Sequence, residues 1–265
     1  MKPTAADTGP TVTSGRSGVR TPFRRFFGFD LRTGIILLAT TALLRILIVL
    51  GANATGSYHL VSVFFVALIA LPWVALTRSG RRRIGFTGPK NWKAVILAIG
   101  MGAAMCVATF ALMAEVFGHS IANPFVYIAS SYAAIPQPLT DADRMIYFIV
   151  FAVINATFSP LGEEILYRGM ATEMLRSRLN GCATAVIEAG VFALVHLAHF
   201  GIIFTVGGWT FLPIPAALWF GAMFLTALVF AYSRRASGSL LGAILSHSAY
   251  NITMTALIFY TLGVV

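Results

Sequence analysis

The sequence predicts an all-α, polytopic transmembrane helical bundle of about seven spans, and three observations carry that expectation. Of 265 residues, 58% are hydrophobic and only 11% charged, against roughly 25% charged in a soluble domain. The mean hydropathy is +0.82. Apolar stretches near the length of about 20 residues that crosses a bilayer as a helix recur at 33–54, 57–77, 94–117, 145–160, 182–200, 209–232 and 239–263.

The formal charge of +10 follows the stretches between these spans, which reads as a topology code and not as a nucleic-acid surface. Lys2, Arg16, Arg20, Arg24, Arg25 and Arg32 precede or open the first span. Arg78, Arg81, Arg82, Arg83, Lys90 and Lys93 lie between the second and third. Arg168, Arg176 and Arg178 follow the fourth, and Arg234 and Arg235 the sixth, while Arg144 is the exception on the opposite side. This alternation predicts an integral protein of the cell membrane with the N-terminus cytoplasmic and the C-terminus external.

Residues 1–30 are expected to form a disordered basic cytoplasmic tail whose segment 23–29, with Phe and Arg interleaved, lies at the membrane surface. Residues 31–265 then form the bundle. Ala52 and Ala54 after an apolar run imitate a signal-peptide cleavage site, but the long polar lead and Arg45 within the run predict an uncleaved span. Cys106 and Cys182 make no disulfide pattern.

Charge inside the apolar region carries the functional information. A charged residue at the centre of a span costs about 2.5–3.5 kcal/mol, so Glu163, Glu164 and Arg168 are expected to face protein, a cavity or the interface. Two antiparallel helices folding back at Asn180-Gly181 place Glu163 and His196 at similar depth, about 23 Å along the helix from the turn. His247 lies about 18 Å beyond Arg235 along the last span, with Asn251 one turn further. These four side chains are therefore expected at one level, nearer the cytoplasmic side.

Helical spacing pairs Glu164 with Arg168, an acid preceding a base by four residues. Glu163 points about 100° away and is expected to be left free for chemistry. Phe192 shares a face with His196, and His247 with Asn251. Glu188 is expected to be a structural partner for arginine. His199 is expected to be solvated near a helix end, and Arg45 and Glu115 to snorkel toward the outer surface.

In order, Glu163-Glu164-Ile165-Leu166-Tyr167-Arg168, Phe192-Ala193-Leu194-Val195-His196 and His247-Ser248-Ala249-Tyr250-Asn251 resemble the motifs EExxxR, FxxxH and HxxxN/D. These belong to the CPBP family of intramembrane proteases (CAAX prenyl protease and bacteriocin-processing), which includes the type II CAAX prenyl endopeptidases. The resemblance covers 145–260 and implies a catalytic core there. Carried over residue by residue, it implies Glu163 as general base, His196 as partner in holding the attacking water, and His247 and Asn251 as oxyanion groups. Glu164, Arg168 and Phe192 are implied to align the site.

The chemistry is compatible: a desolvated carboxylate takes a proton from water more readily, and donors aimed at the carbonyl oxygen stabilise the tetrahedral oxyanion. Glu163, His196 and His247 would also make a legitimate divalent zinc set with an open position. The same groups suffice for a metal-free mechanism, and that alternative is favoured. The expected partners are a peptide or membrane-protein substrate and membrane lipids, with no nucleic acid. Peptide-bacteriocin leaders, other membrane proteins and lipidated tails all remain open as substrates. A noncatalytic immunity factor or scaffold is the competing class, and a proton-relaying transporter ranks below it because the chain has no mirrored halves.

Overall fold

A computed structural model describes residues 17–132, 135–136 and 138–262. Its helices are α1 (Leu31–Thr55), α2 (His59–Ala75), a short α3 (Arg78–Arg83), α4 (Trp92–Phe117), a short α5 (Pro124–Ala129), and α6 (Asp141–Glu164). Helix α6 runs through a π-helical segment, Ile165–Ala171, into α7 (Thr172–Leu175). They are followed by α8 (Gly181–His196), strands β1 (Ile202–Thr205) and β2 (Gly208–Phe211), α9 (Pro213–Ser237) and α10 (Leu240–Tyr260).

The protein is an integral membrane helical bundle. Seven long helical passages fall where the apolar stretches predicted them. Among the described residues, by length and composition alone, four are able to span a bilayer, Leu31–Thr55, Trp92–Phe117, Asp141–Leu175 and Pro213–Ser237; His59–Ala75 and Gly181–His196 are shorter apolar helices, and α10 falls in neither group. The lipid-facing signature is a belt of exposed Leu, Ile and Val on α1, α2, α4 and α6.

Capping residues start the helices where the chain supplies them. Asp30, Asn91, Thr140, Asn180 and Ser239 each accept a backbone N–H from the first turn, replacing a partner that helix geometry denies those amides. Asn180 thus makes the expected reversal as the cap of α8. The sixth span starts later than its hydropathy suggested. Residues 208–211 pair with 202–205 in a two-stranded antiparallel ribbon, since Gly208 takes φ +91° at the turn and Ile, Phe and Thr favour extended chain.

The tail departs from expectation. Residues 1–16 of the expected disordered segment lie outside the described residues, but residues 17–30 are folded against the α2–α3 corner. Arg20 N donates to Ala75 O at 2.9 Å and Thr77 N to Gly18 O at 2.9 Å. Val19 and Phe29 are buried beneath Leu76 and Ile84. An edge of free backbone at 75–77 recruits the segment, which composition alone does not reveal.

Helices α4 and α10 approach backbone to backbone: a Cβ on Gly102 would lie 1.9 Å from the Ser246 carbonyl oxygen. Gly102→Ala is expected to lower the unfolding temperature in detergent sharply, by at least the roughly 1–3 kcal/mol of ordinary overpacking, because a backbone atom cannot rotate away. An unchanged melt would show that the two helices slide apart freely.

Proline sets the site's geometry. Pro160, inside α6, has no N–H for the Ala156 carbonyl four residues earlier. That carbonyl instead accepts from Ser248 Oγ of α10 at 2.7 Å. One residue earlier, Asn155 O accepts from Asn251 Nδ2 at 2.9 Å. The broken ladder is thereby the surface on which the third motif docks.

Candidate active site

The three motifs meet around a cavity of about 430 Å³ inside the bundle, whose wall includes Arg45, Ser159, His196, His199, His247 and Asn251. Glu163 is completely buried directly behind this wall. Its Oε1 accepts from Ser159 Oγ at 2.6 Å and lies 3.0 Å from Arg45 Nη2, while Oε2 has no hydrogen-bond partner.

Arg45 corrects two expectations at once. It is 3% exposed and turned inward from α1, not snorkelling, and it makes Glu163 a paired carboxylate and not a free one. The same Nη2 lies 3.3 Å from His196 Nε2 and 3.3 Å from His199 Nε2. His199, expected in solvent, therefore faces the cavity. The guanidinium also lies over the Phe65 ring, 5.6 Å from its centroid. Its other two nitrogens, Nε and Nη1, have no partner. Burying a cation in an apolar span is sustainable only against an anion, and Glu163 is that anion.

His196 has a defined tautomer. Its Nδ1 is 2.6 Å from the Phe192 carbonyl, an atom that only accepts, so Nδ1 carries the hydrogen and Nε2 turns its lone pair inward. The Phe192 ring lies against the imidazole at 4.2 Å between centroids, and Trp219 Nε1 donates to His196 O at 3.2 Å. The four-residue spacing of the second motif is thus both a backbone hydrogen bond and a ring contact.

Glu164 joins the first motif to the third. Its Oε1 accepts from Arg168 Nη1 at 3.0 Å and from His247 Nδ1 at 2.9 Å. Arg168 also donates to Ala227 O at 2.9 Å and lies over Phe192, 4.7 Å from its centroid. His247 stacks on Phe230 at 4.6 Å and 16°. The expected Glu164–Arg168 pair is present, with His247 as a third member that helical spacing could not supply. All of this sits where α6 widens into a π-helix, a local unwinding frequent at functional sites.

Glu164→Ala is expected to reduce folded yield and cut the unfolding free energy by about 3–5 kcal/mol, the cost of leaving a buried charge unpaired. Arg168 would lose its carboxylate and His247 its orienting partner. Detergent melts and membrane yield measure this, and wild-type values in both would remove Glu164 from the scaffold.

Two further residues differ from expectation. Glu188 accepts from the Thr172 hydroxyl at 2.5 Å, with no arginine within ion-pair distance. Asn251 lines the cavity but spends an amide hydrogen on Asn155 O, two turns of α6 away from Glu163. The arrangement also does not fit zinc on Glu163, His196 and His247. Among the described residues no group of three or more His, Cys, Asp or Glu is placed to hold a metal ion. The Arg45 guanidinium nitrogen already stands among Glu163, His196 and His199.

Residues 145–253 match the family model for type II CAAX prenyl endopeptidase Rce1-like proteins. Over this segment the chain is similar to Rce1-like proteins. No curated protein and no solved structure matches the chain. The matched segment carries all three motifs, and the matching family is one of membrane proteases. Arg45, Ser62 and Phe65, which complete the cavity, come from helices outside it. Beside His199, sequence reasoning missed Arg45 as a cavity residue. Its position within an apolar span was a visible signal, but the motifs gave it no partner.

Proposed function

We propose that this protein is an intramembrane endopeptidase in which Glu163 activates a water molecule. The observation that carries the reading is that His196 and His247 line one cavity inside the bundle and the buried Glu163 lies directly behind its wall. The unpartnered Oε2 of Glu163 accepts a proton from water, and that water takes the place at His196 Nε2 that Arg45 Nη2 holds in the resting site. The water oxygen attacks the peptide carbonyl carbon, and the resulting oxyanion faces Arg45 and, when its ring is protonated, the Nε2–H of His247. Glu163 then returns the proton to the leaving amine as the C–N bond breaks.

Arg45 supplies in this scheme the fixed positive charge that a metal ion supplies elsewhere. Glu164 holds the His247 ring by Nδ1, so that Nε2 is the atom directed to the substrate. Asn251 holds α10 against the opened carbonyls of α6 and thereby fixes the position of His247. The substrates that fit are membrane-associated peptides, with prenylated C-terminal tails among them because the matching family bears that description.

A noncatalytic scaffold draws on one observation, the closure of Glu163 Oε1 by Arg45 and Ser159. One experiment separates the two. Wild type and Glu163→Ala are expressed in the same membrane, and new N-termini are compared across the proteome. A set of termini present only with wild type is the expected result. Identical sets of termini would refute proteolysis.

A further inference from the structure

A second concavity, of about 410 Å³, lies at the end of the bundle where the basic connections meet. Its wall holds six cations, Arg82, Arg83, Lys90, Arg176, Arg234 and Arg235, and no acidic residue. They arrive from four places in the chain: α3, the entry to α4, the corner after α7, and the end of α9. Topology charge needs only to be on the correct side of a membrane, so spreading these residues over separate loops would have sufficed. Here tertiary contacts gather them instead.

Those contacts are specific. Lys90 N donates to Ser237 O at 2.9 Å and Leu240 N to Gly85 O at 3.1 Å. Arg234 reaches Ile84 O at 3.4 Å and Glu173 at 3.3 Å, and Arg83 lies 3.6 Å from the same carboxylate. One anion therefore serves two of the six cations. Lys90, Arg176 and Arg235 form no ion pair among the described residues. The first turn of α10, capped by Ser239, opens at the rim and adds the positive end of a helix dipole.

We propose that this concavity is a phosphate-binding site that takes the headgroup of an anionic phospholipid. Its depth favours a lipid over a soluble anion. Trp92, two residues beyond Lys90 and 61% exposed, opens an apolar membrane helix, the level at which interfacial tryptophans sit. Basic pockets between spans at that level recognise anionic headgroups. A bound phosphate would cross-link the α3–α4 connection, the end of α7 and the end of α9, and so brace the helix that continues into Glu163. This site stands independently of the proteolytic reading.

The test uses the full chain in neutral detergent, where no charged surface exists to attract basic loops in general. Native mass spectrometry compares binding of a phosphatidylglycerol and a phosphatidylcholine, and thermal melts follow inorganic phosphate. Two triple variants lose the same charge: Lys90→Gln with Arg176→Gln and Arg235→Gln in the concavity, and Arg25→Gln with Arg32→Gln and Arg178→Gln outside it. All six residues are solvent-exposed, so folding survives in both.

Wild type is expected to prefer phosphatidylglycerol. The first triple should weaken that lipid about 100-fold, at roughly fivefold for each cation near a headgroup, and the second should leave it unaltered. Stabilisation by inorganic phosphate alone, lost in the first triple, would keep the phosphate site but assign it a soluble ligand. Equal losses in the two triples, or indifference of wild type to both lipids and to phosphate, would overturn it.

Discussion

Glu163→Gln is expected to insert and fold but to lose processing, with turnover reduced by about 10²–10⁴, the contribution typical of a positioned general base. The amide oxygen can still accept from Arg45 and Ser159, the two donors now on Oε1, so packing is retained. An amide has no basic lone pair for the proton of water, and it also leaves the buried Arg45 facing a neutral group, so the unfolding temperature falls as well. A loss of turnover far larger than the accompanying loss of folded yield is the expected signature. Normal turnover by the variant would end the assignment of Glu163 as base.

Arg45→Met should produce the larger structural effect. Among the described residues it removes the one cation within ion-pair distance of a carboxylate that is completely buried, and stranding such a charge costs about 3–5 kcal/mol. It also leaves His196 Nε2 and His199 Nε2 without the donor they share. Processing should vanish together with much of the folded yield.

The double variant Arg45→Met with Glu163→Gln separates the two consequences. With both charges gone, the buried pair is replaced by neutral groups, and removing both members is far less costly than removing one. Yield and unfolding temperature should recover toward wild type while processing stays absent. A double variant no more stable than Arg45→Met would show that the two residues are not energetically coupled. Arg45→Lys, which keeps the charge but loses the fork of donors, is expected to fold better than Arg45→Met.

The architecture and the motif residues were legible because the membrane penalises charge so heavily. A chain that places Glu163, Glu164 and Arg168 beside an apolar span reveals that they avoid lipid before any contact is known. Helical period then paired Glu164 with Arg168 and Phe192 with His196, and both relations are present, since each is internal to one helical passage. Expectation failed for the individual contacts of Arg45 and Glu188, whose partners lie on other helices. Arg45 was assigned to the lipid surface although its partners are on α6 and α8, 118 residues away for Glu163 and 151 for His196. Glu188 was matched to an arginine by depth, yet the near atom is the Thr172 hydroxyl.

By itself, then, the sequence determined that this is a membrane bundle, where its long helices lie, and which polar side chains are too costly to point at lipid. Only the tertiary structure decided that Arg45 closes on Glu163, that His247 hangs from Glu164, and that Asn251 docks on the ladder opened by Pro160. The physical reason is that hydropathy and helical period describe the environment of one helix at a time. The face a helix turns toward each neighbour is settled by close contacts such as Gly102 against Ser246, which leave no periodic trace along the chain.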